Sequence, residues 1–94
     1  MTLTDSDIQS AMADLPGWEY ADGAISKTYE FPQYLAGLAF ATAAGTVCEG
    51  LGHHPDMTIG YRRVQIALTT HDAGNAVTQK DIDAALAIER IGYP

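Results

Sequence analysis

Hydrophobic and polar positions along the chain change period several times. Ile8, Met12 and Leu15 recur at helical spacing, and Thr4-Asp-Ser-Asp7 ahead of them has capping-box spacing, with Thr4 as N-cap. Pro16-Gly17 stops that helix. Between Trp18 and Phe31 the pattern switches to two short runs divided by Asp22-Gly23, a dipeptide suited to a tight hairpin turn. Ile25, Tyr29 and Phe31 fall on one strand face, which Lys27 interrupts. Pro32 is placed to open a helix that runs to about Leu51. This segment is Ala-rich and carries two apolar stripes, one of Leu35, Leu38 and Thr42, the other of Phe40, Val47 and Leu51. Two stripes imply two partners, the domain's own sheet and a second subunit, and the second stripe suits the subunit interface. Met57, Ile59 and Tyr61 then alternate, as do Val64, Ile66 and Leu68, which predicts two strands between Asp56 and His71. Arg62-Arg63 is poor turn chemistry, since neither residue favours positive φ, so this hairpin rests on the alternation. Gly74-Asn75 breaks the chain. Thr78-Gln-Lys-Asp81 is a second capping box, opening a helix through Ile82, Ala85, Leu86 and Glu89. The predicted order α-β-β-α-β-β-α is an α+β domain, a four-stranded antiparallel sheet with three helices packed on one face.

Ninety-four residues make a single domain spanning 1–94. An apolar share of 47% with 18% charged residues is globular and argues against a disordered chain. Five Lys+Arg against twelve Asp+Glu give a net charge of −7. That sign excludes a surface built to neutralise nucleic-acid phosphates, and it disfavours an anionic membrane surface. No apolar run is expected to approach the ~20 residues of a bilayer-spanning helix. The N-terminal Met1-Thr-Leu-Thr-Asp-Ser-Asp7 is acidic from its fifth residue and lacks a signal-peptide core. The single cysteine, Cys48, allows no internal disulfide. A cytoplasmic location is the expectation.

The candidate chemistry concentrates in one stretch. All three histidines, His53, His54 and His71, lie within residues 53–71, and imidazole is the side chain that titrates unperturbed near neutral pH. A register pairing Tyr61 with Val64 sets His54 opposite His71 at the hairpin's open end. His53 lies just beyond, where helix gives way to strand. Glu49, four residues before His53, falls within the first stripe of the helix and is expected to orient that histidine or raise its basicity. Each residue also has a plainer reading: structural histidines, a solvated Glu49, a capping Asp81, a packed Cys48. Nothing around a Cys48–His53 pair supports a nucleophile. Zinc is a sharper rival, since Glu49-x3-His53 has helical ligand spacing with His71 as a third ligand. Neither a His-Glu-x-x-His motif nor a cysteine pair accompanies it.

Together these residues run Glu49-x3-His53-His54-Pro55, then Tyr61 after five residues, His71 after nine more and Asp81 ten on. This resembles the signature of the pterin-4a-carbinolamine dehydratases. Pro16-Gly17-Trp18 with the Ile25–Phe31 strand resembles the N-terminal half of that family, and Val64-x3-Leu68-x-Thr70-His71 with Thr78-x2-Asp81 its C-terminal half. Met57 departs from the tryptophan of many relatives, and Arg62-Arg63 from their usual turn. The resemblance implies a hydro-lyase that dehydrates a 4a-hydroxytetrahydropterin to quinonoid dihydropterin, with no metal or other cofactor. It implies His53 and His71 as acid/base groups, His54 as a pterin holder and Glu49 as the residue tuning His53. Pro55, Thr69, Thr70 and Asp72 match substrate-contacting positions. A homodimer or homotetramer through the second helix and the sheet is also implied. The alternative function is a non-catalytic dimerisation or assembly module on the same fold.

Overall fold

The structure is a computed structural model and describes residues 2–92. Helix α1 (Asp5–Met12) starts at the predicted capping box. Asp7 N–H donates to Thr4 Oγ1 at 3.1 Å, and Thr4 N–H to Asp7 Oδ2 at 3.2 Å. Strands β1 (Glu19–Ala21) and β2 (Ala24–Glu30) form the first hairpin. Its turn residues Asp22 and Gly23 both have positive φ, 53° and 77°, as a tight turn between right-twisted strands requires. Helix α2 (Tyr34–Leu51) follows. Pro32 lies ahead of the N-cap Gln33 rather than in the first turn, so the helix begins two residues later than the sequence predicts. Strands β3 (Asp56–Ile59) and β4 (Arg63–Leu68) make the second hairpin, a 3₁₀ turn spans His71–Ala73, and helix α3 (Gln79–Glu89) starts at the second capping box.

The four strands form one antiparallel sheet in the order β1-β2-β4-β3. Val64, Ile66 and Leu68 of β4 and Ile25 and Tyr29 of β2 are buried under the helices, and the opposite face carries Ser26, Thr28, Gln65 and Asp56. Burying each large apolar side chain contributes about 1.5–3 kcal/mol. The predicted fold class is the observed one.

Two expectations need correction. The α2 face in the core is Gly37, Phe40, Ala41, Ala44 and Cys48. Phe40 of the second stripe is therefore core, Val47 is half-buried and Leu51 exposed. The stripe left without a partner is the first one, and its Leu35 is 71% exposed. By length and composition alone the 18 residues of helix α2 would also suffice to cross a membrane, a test that a core helix passes as well. Here its small-residue face packs on the domain's own sheet.

The second correction concerns register. The β3–β4 pairs run from Asp56↔Ala67 to Ile59↔Val64. Gly60 N–H donates to Arg63 O at 2.8 Å, so the turn is Tyr61-Arg62, one position earlier than expected. The Arg62 carbonyl is engaged by Phe31 N–H at 2.9 Å, which pins the turn there. Continued outward, this register carries His54 toward Thr69, and His54 does not pair with His71.

Candidate active site

The C-terminus of α2 determines where the first two histidines go. Gly52 adopts φ 69°, ψ 26°, a left-handed conformation that costs glycine little. Gly52 N–H donates to Glu49 O at 3.0 Å and His53 N–H to Cys48 O at 3.1 Å, the paired bonds of a Schellman ending. The chain leaves the helix with His53 directed inward and His54 outward.

His53 Nε2 lies 2.5 Å from Asp81 Oδ1. The imidazole is 12% exposed and the Asp81 side chain is fully buried. Asp81 Oδ2 accepts from Thr78 N–H at 2.9 Å and from Thr70 Oγ1–H at 2.8 Å. Thr70 has one hydroxyl proton, committed to Asp81, so in the 2.8 Å contact between the two threonine hydroxyls Thr78 donates. Asp81 is thus a helix cap, as read from the sequence, and also the partner of His53. With Nε2–H donating to this carboxylate, a neutral His53 keeps Nδ1 as a free acceptor.

Glu49 does not reach His53. Its Oε1 lies 2.5 Å from His54 Nε2, and both side chains are largely exposed. The shared helical face at i and i+4 ends where Gly52 turns the chain, so the carboxylate meets the next histidine instead. The Glu49–His53 pair on which a zinc site would rest is not formed. Among the described residues no three His, Cys, Asp or Glu side chains are grouped to hold a metal. Cys48 is buried, and burial pushes its thiol up, as for a packed residue rather than a nucleophile.

His71 sits at the start of the 3₁₀ turn, exposed. Its Nδ1–H donates to Asn75 Oδ1 at 2.8 Å, which leaves Nε2 as the acceptor of the neutral ring. Asn75 is held at positive φ, 60°, a conformation asparagine tolerates better than most residues. The first hairpin buttresses this loop. A Cβ at Gly23 would stand 2.1 Å from the Asn75 carbonyl oxygen, and Thr69 Oγ1–H donates to Gly23 O at 2.7 Å. These contacts bring His53, His54 and His71 to one depression of about 180 Å³, together with Thr69, Thr70 and Asp72. Lys80 also lines it, a residue the sequence analysis does not single out. Glu49 and Pro55 stand outside the lining. A larger groove, about 620 Å³, runs between α2 and β3 with mainly apolar walls, among them Leu38, Met57 and Ile59. It contains none of the histidines.

A second polar cluster lies away from the histidines. Glu89 Oε2 accepts from Lys27 Nζ at 2.8 Å, from Trp18 Nε1 at 3.1 Å and from the Tyr29 hydroxyl. Burial opposes the Glu89 charge, but these hydrogen bonds outweigh it and hold the carboxyl below its ordinary range. Burial and the same contact push the Tyr29 phenol well up. The sequence signal for this cluster is Lys27, a charge on a core-facing strand position.

Comparison with known proteins completes the description. A family model described as pterin 4 alpha carbinolamine dehydratase matches residues 1–91. This chain belongs to that family. A Natronomonas pharaonis relative with the provisional name pterin-4-alpha-carbinolamine dehydratase is 54% identical over 84 residues, covering 88% of this chain and 87% of the relative. A Roseiflexus relative with the same provisional name is 42% identical over 89 residues, covering 95% of each chain. Among solved structures, a transcriptional coactivator/pterin dehydratase from Brucella melitensis matches with TM-score 0.89 and 33% identity, over 97% of this chain and 98% of that one. A pterin dehydratase-like protein described as a RuBisCO assembly factor in the alpha-carboxysome shares the fold, with TM-score 0.65 and 21% identity over 79% and 87%.

Proposed function

We propose that this protein is a hydro-lyase that dehydrates a 4a-hydroxytetrahydropterin to quinonoid dihydropterin, in the cytoplasm and for tetrahydropterin recycling. The observation that carries the reading is the placement of His53 and His71 in one depression within a chain of this family. The reaction breaks the C4a–O bond, releases the hydroxyl as water and removes the proton from N5. It therefore needs one group that gives a proton to the leaving oxygen and one that takes the N5 proton. A positioned acid or base typically contributes about 10²–10⁴-fold to such a step.

His53 and His71 take these two roles. Each ring has one nitrogen occupied, by Asp81 or by Asn75. The hydrogen bond fixes which nitrogen of the neutral ring carries the proton, and the other nitrogen is left to work on the substrate. Asp81 is a positioning residue, holding the His53 tautomer and ring plane. His54 holds the pterin, and Glu49 orients His54 rather than His53. Thr69 and Asp72 contact the substrate, as does the Pro55 end of the strand. Thr70 acts through Asp81, since its hydroxyl proton is already committed there.

The protein works as a homo-oligomer. The partner surface is the exposed α2 stripe with the groove beside β3, where Leu38, Met57 and Ile59 form apolar walls next to the sheet's unpaired edge. A sheet edge and an apolar helix face left together suit a second copy of the chain.

The test is turnover in three variants. His53→Ala and His71→Ala each lower kcat at least tenfold, and the double variant loses nearly all acceleration while keeping a wild-type melting transition. Wild-type turnover in a folded double variant would refute the assignment.

A further inference from the structure

One residue joins the groove between α2 and β3 to the histidine depression. Glu49 lines the groove, and its Oε1 meets Nε2 of His54, which lines the depression. Glu49 is the one charged member of the groove's lining. The hydroxyl protons of Thr42 and Thr46 are spent on carbonyls of their own helix, those of Leu38 and Thr42. Both partners of the Glu49–His54 contact are largely exposed, where water competes and such a pair contributes little. Among the described residues Glu49 Oε2 accepts from no group. The side chain that holds His54 is therefore held loosely itself in the isolated chain.

The groove also has a polarity. At the N-terminal end of α2 the tip of the second hairpin folds against the helix. Tyr61 stacks on Tyr34 with ring centroids 6.3 Å apart, the Arg62 guanidinium lies 5.8 Å from the Tyr61 ring, and Arg62 Nη1–H donates to Pro32 O at 3.4 Å. Arg63 lines the same tip, with Glu30 as the one carboxylate beside the two arginines. Among the described residues neither guanidinium joins an ion pair. Two of the five Lys and Arg residues in a chain of net charge −7 thus stand at one end of α2, and Glu49 at the other. The outer stripe of the helix runs Leu35, Leu38, Thr42, Thr46 and Glu49, three or four residues apart. A two-fold axis at Thr42 sets two such helices antiparallel, with Leu38 opposite Thr46 and Leu35 opposite Glu49. Each copy then brings its arginine end to the Glu49 end of the other. A parallel pair would set like charges side by side. Charge complementarity therefore selects a second copy, in this orientation, as the occupant.

We infer that this second copy completes the histidine site. It shields Glu49 from water, offers its arginine end to the open Oε2, and so fixes His54 against the pterin. A hydrogen bond shielded from water is stronger than an exposed one, so pterin affinity depends on assembly. By linkage, pterin in turn tightens assembly. The inference rests on the pterin and second-copy readings above and adds that the site of an isolated chain is incomplete.

The experiment measures KM and kcat for the carbinolamine, alongside sedimentation, in the wild type, Thr42→Glu, Glu49→Gln and the double variant. Thr42 is exposed and bonds only its own helix, so Thr42→Glu is expected to melt like the wild type. In the two-fold pair its two carboxylates meet. It is expected to be monomeric, with KM raised about tenfold, as for one hydrogen bond to a charged group, and kcat little changed. Glu49→Gln should raise KM by a similar factor, and the double variant should be no worse than either, because both act through one contact. Simple addition of the two effects, or a monomeric Thr42→Glu with the wild-type KM, would overturn the inference and leave the dehydratase standing. A Thr42→Glu protein that assembles like the wild type, or a wild type that stays monomeric and leaves the groove to a different protein, would overturn it too. No turnover in any of the four would overturn the dehydratase reading itself, and the inference with it.

Discussion

The Asp81 carboxylate accepts from three donors, the His53 ring, the Thr70 hydroxyl and the Thr78 amide, in a fully buried position. Its oxygens divide the work, Oδ1 serving the histidine and Oδ2 anchoring the cap. Asp81→Asn keeps the shape but turns a donor toward one of these donors. It is expected to lower kcat by roughly 10–100-fold with a smaller change in KM, measured by steady-state kinetics. Thr70→Val leaves the Thr78 hydroxyl without its acceptor and Asp81 one donor short, which costs about 1–3 kcal/mol in thermal denaturation. Gly23 acts at longer range. An alanine there would have to displace the Asn75 carbonyl, and Asn75 holds His71. Gly23→Ala should therefore lower both the melting temperature and kcat, and an unchanged kcat would show that His71 does not depend on this buttress. At this scale the sequence singles out the grouped side chains better than their pairing. The three histidines stand out by type and spacing. That Asp81 serves His53 does not, because the contact joins residues 28 positions apart and depends on where α2 ends.

Among the elements, both capping boxes and the Asp22-Gly23 turn are legible because their physics is local. The β3–β4 register is not, because no residue in its turn demands positive φ and a distant donor, Phe31 N–H, selects the position. Helix α2 misleads for another reason. Large side chains dominate a reading of stripes, whereas close packing on the sheet is made by Gly37, Ala41, Ala44 and Cys48, leaving Leu35 outside. Helix α3 is tied to the sheet at its far end by Glu89. That carboxyl is held below its ordinary value of 4.5 in the folded chain, so around that pH the unfolded chain binds more protons. The stability it contributes is complete above that value and is lost as pH falls through the folded one. Glu89→Gln should therefore be less stable than the wild type near neutrality, and the difference should shrink between about pH 6 and about pH 3. A constant difference in urea denaturation across that range would contradict this.

On the scale of the whole molecule, two of the surfaces that the described residues form outside the core bear on function, the histidine depression and the apolar groove beside the β3 edge. In the function proposed above, the first concerns chemistry and the second assembly. Leu38→Asp in the groove is expected to shift the species seen by light scattering toward monomer, whereas a variant that assembles like the wild type would place the interface elsewhere. The central claim is the dehydration itself. Its most direct measurement follows enzymatically generated 4a-hydroxytetrahydropterin by ultraviolet absorbance, with and without the protein. The account predicts a first-order loss whose rate rises in proportion to protein concentration and falls to the uncatalysed rate in the His53→Ala/His71→Ala variant. A loss rate independent of a folded, oligomeric wild-type protein would contradict it.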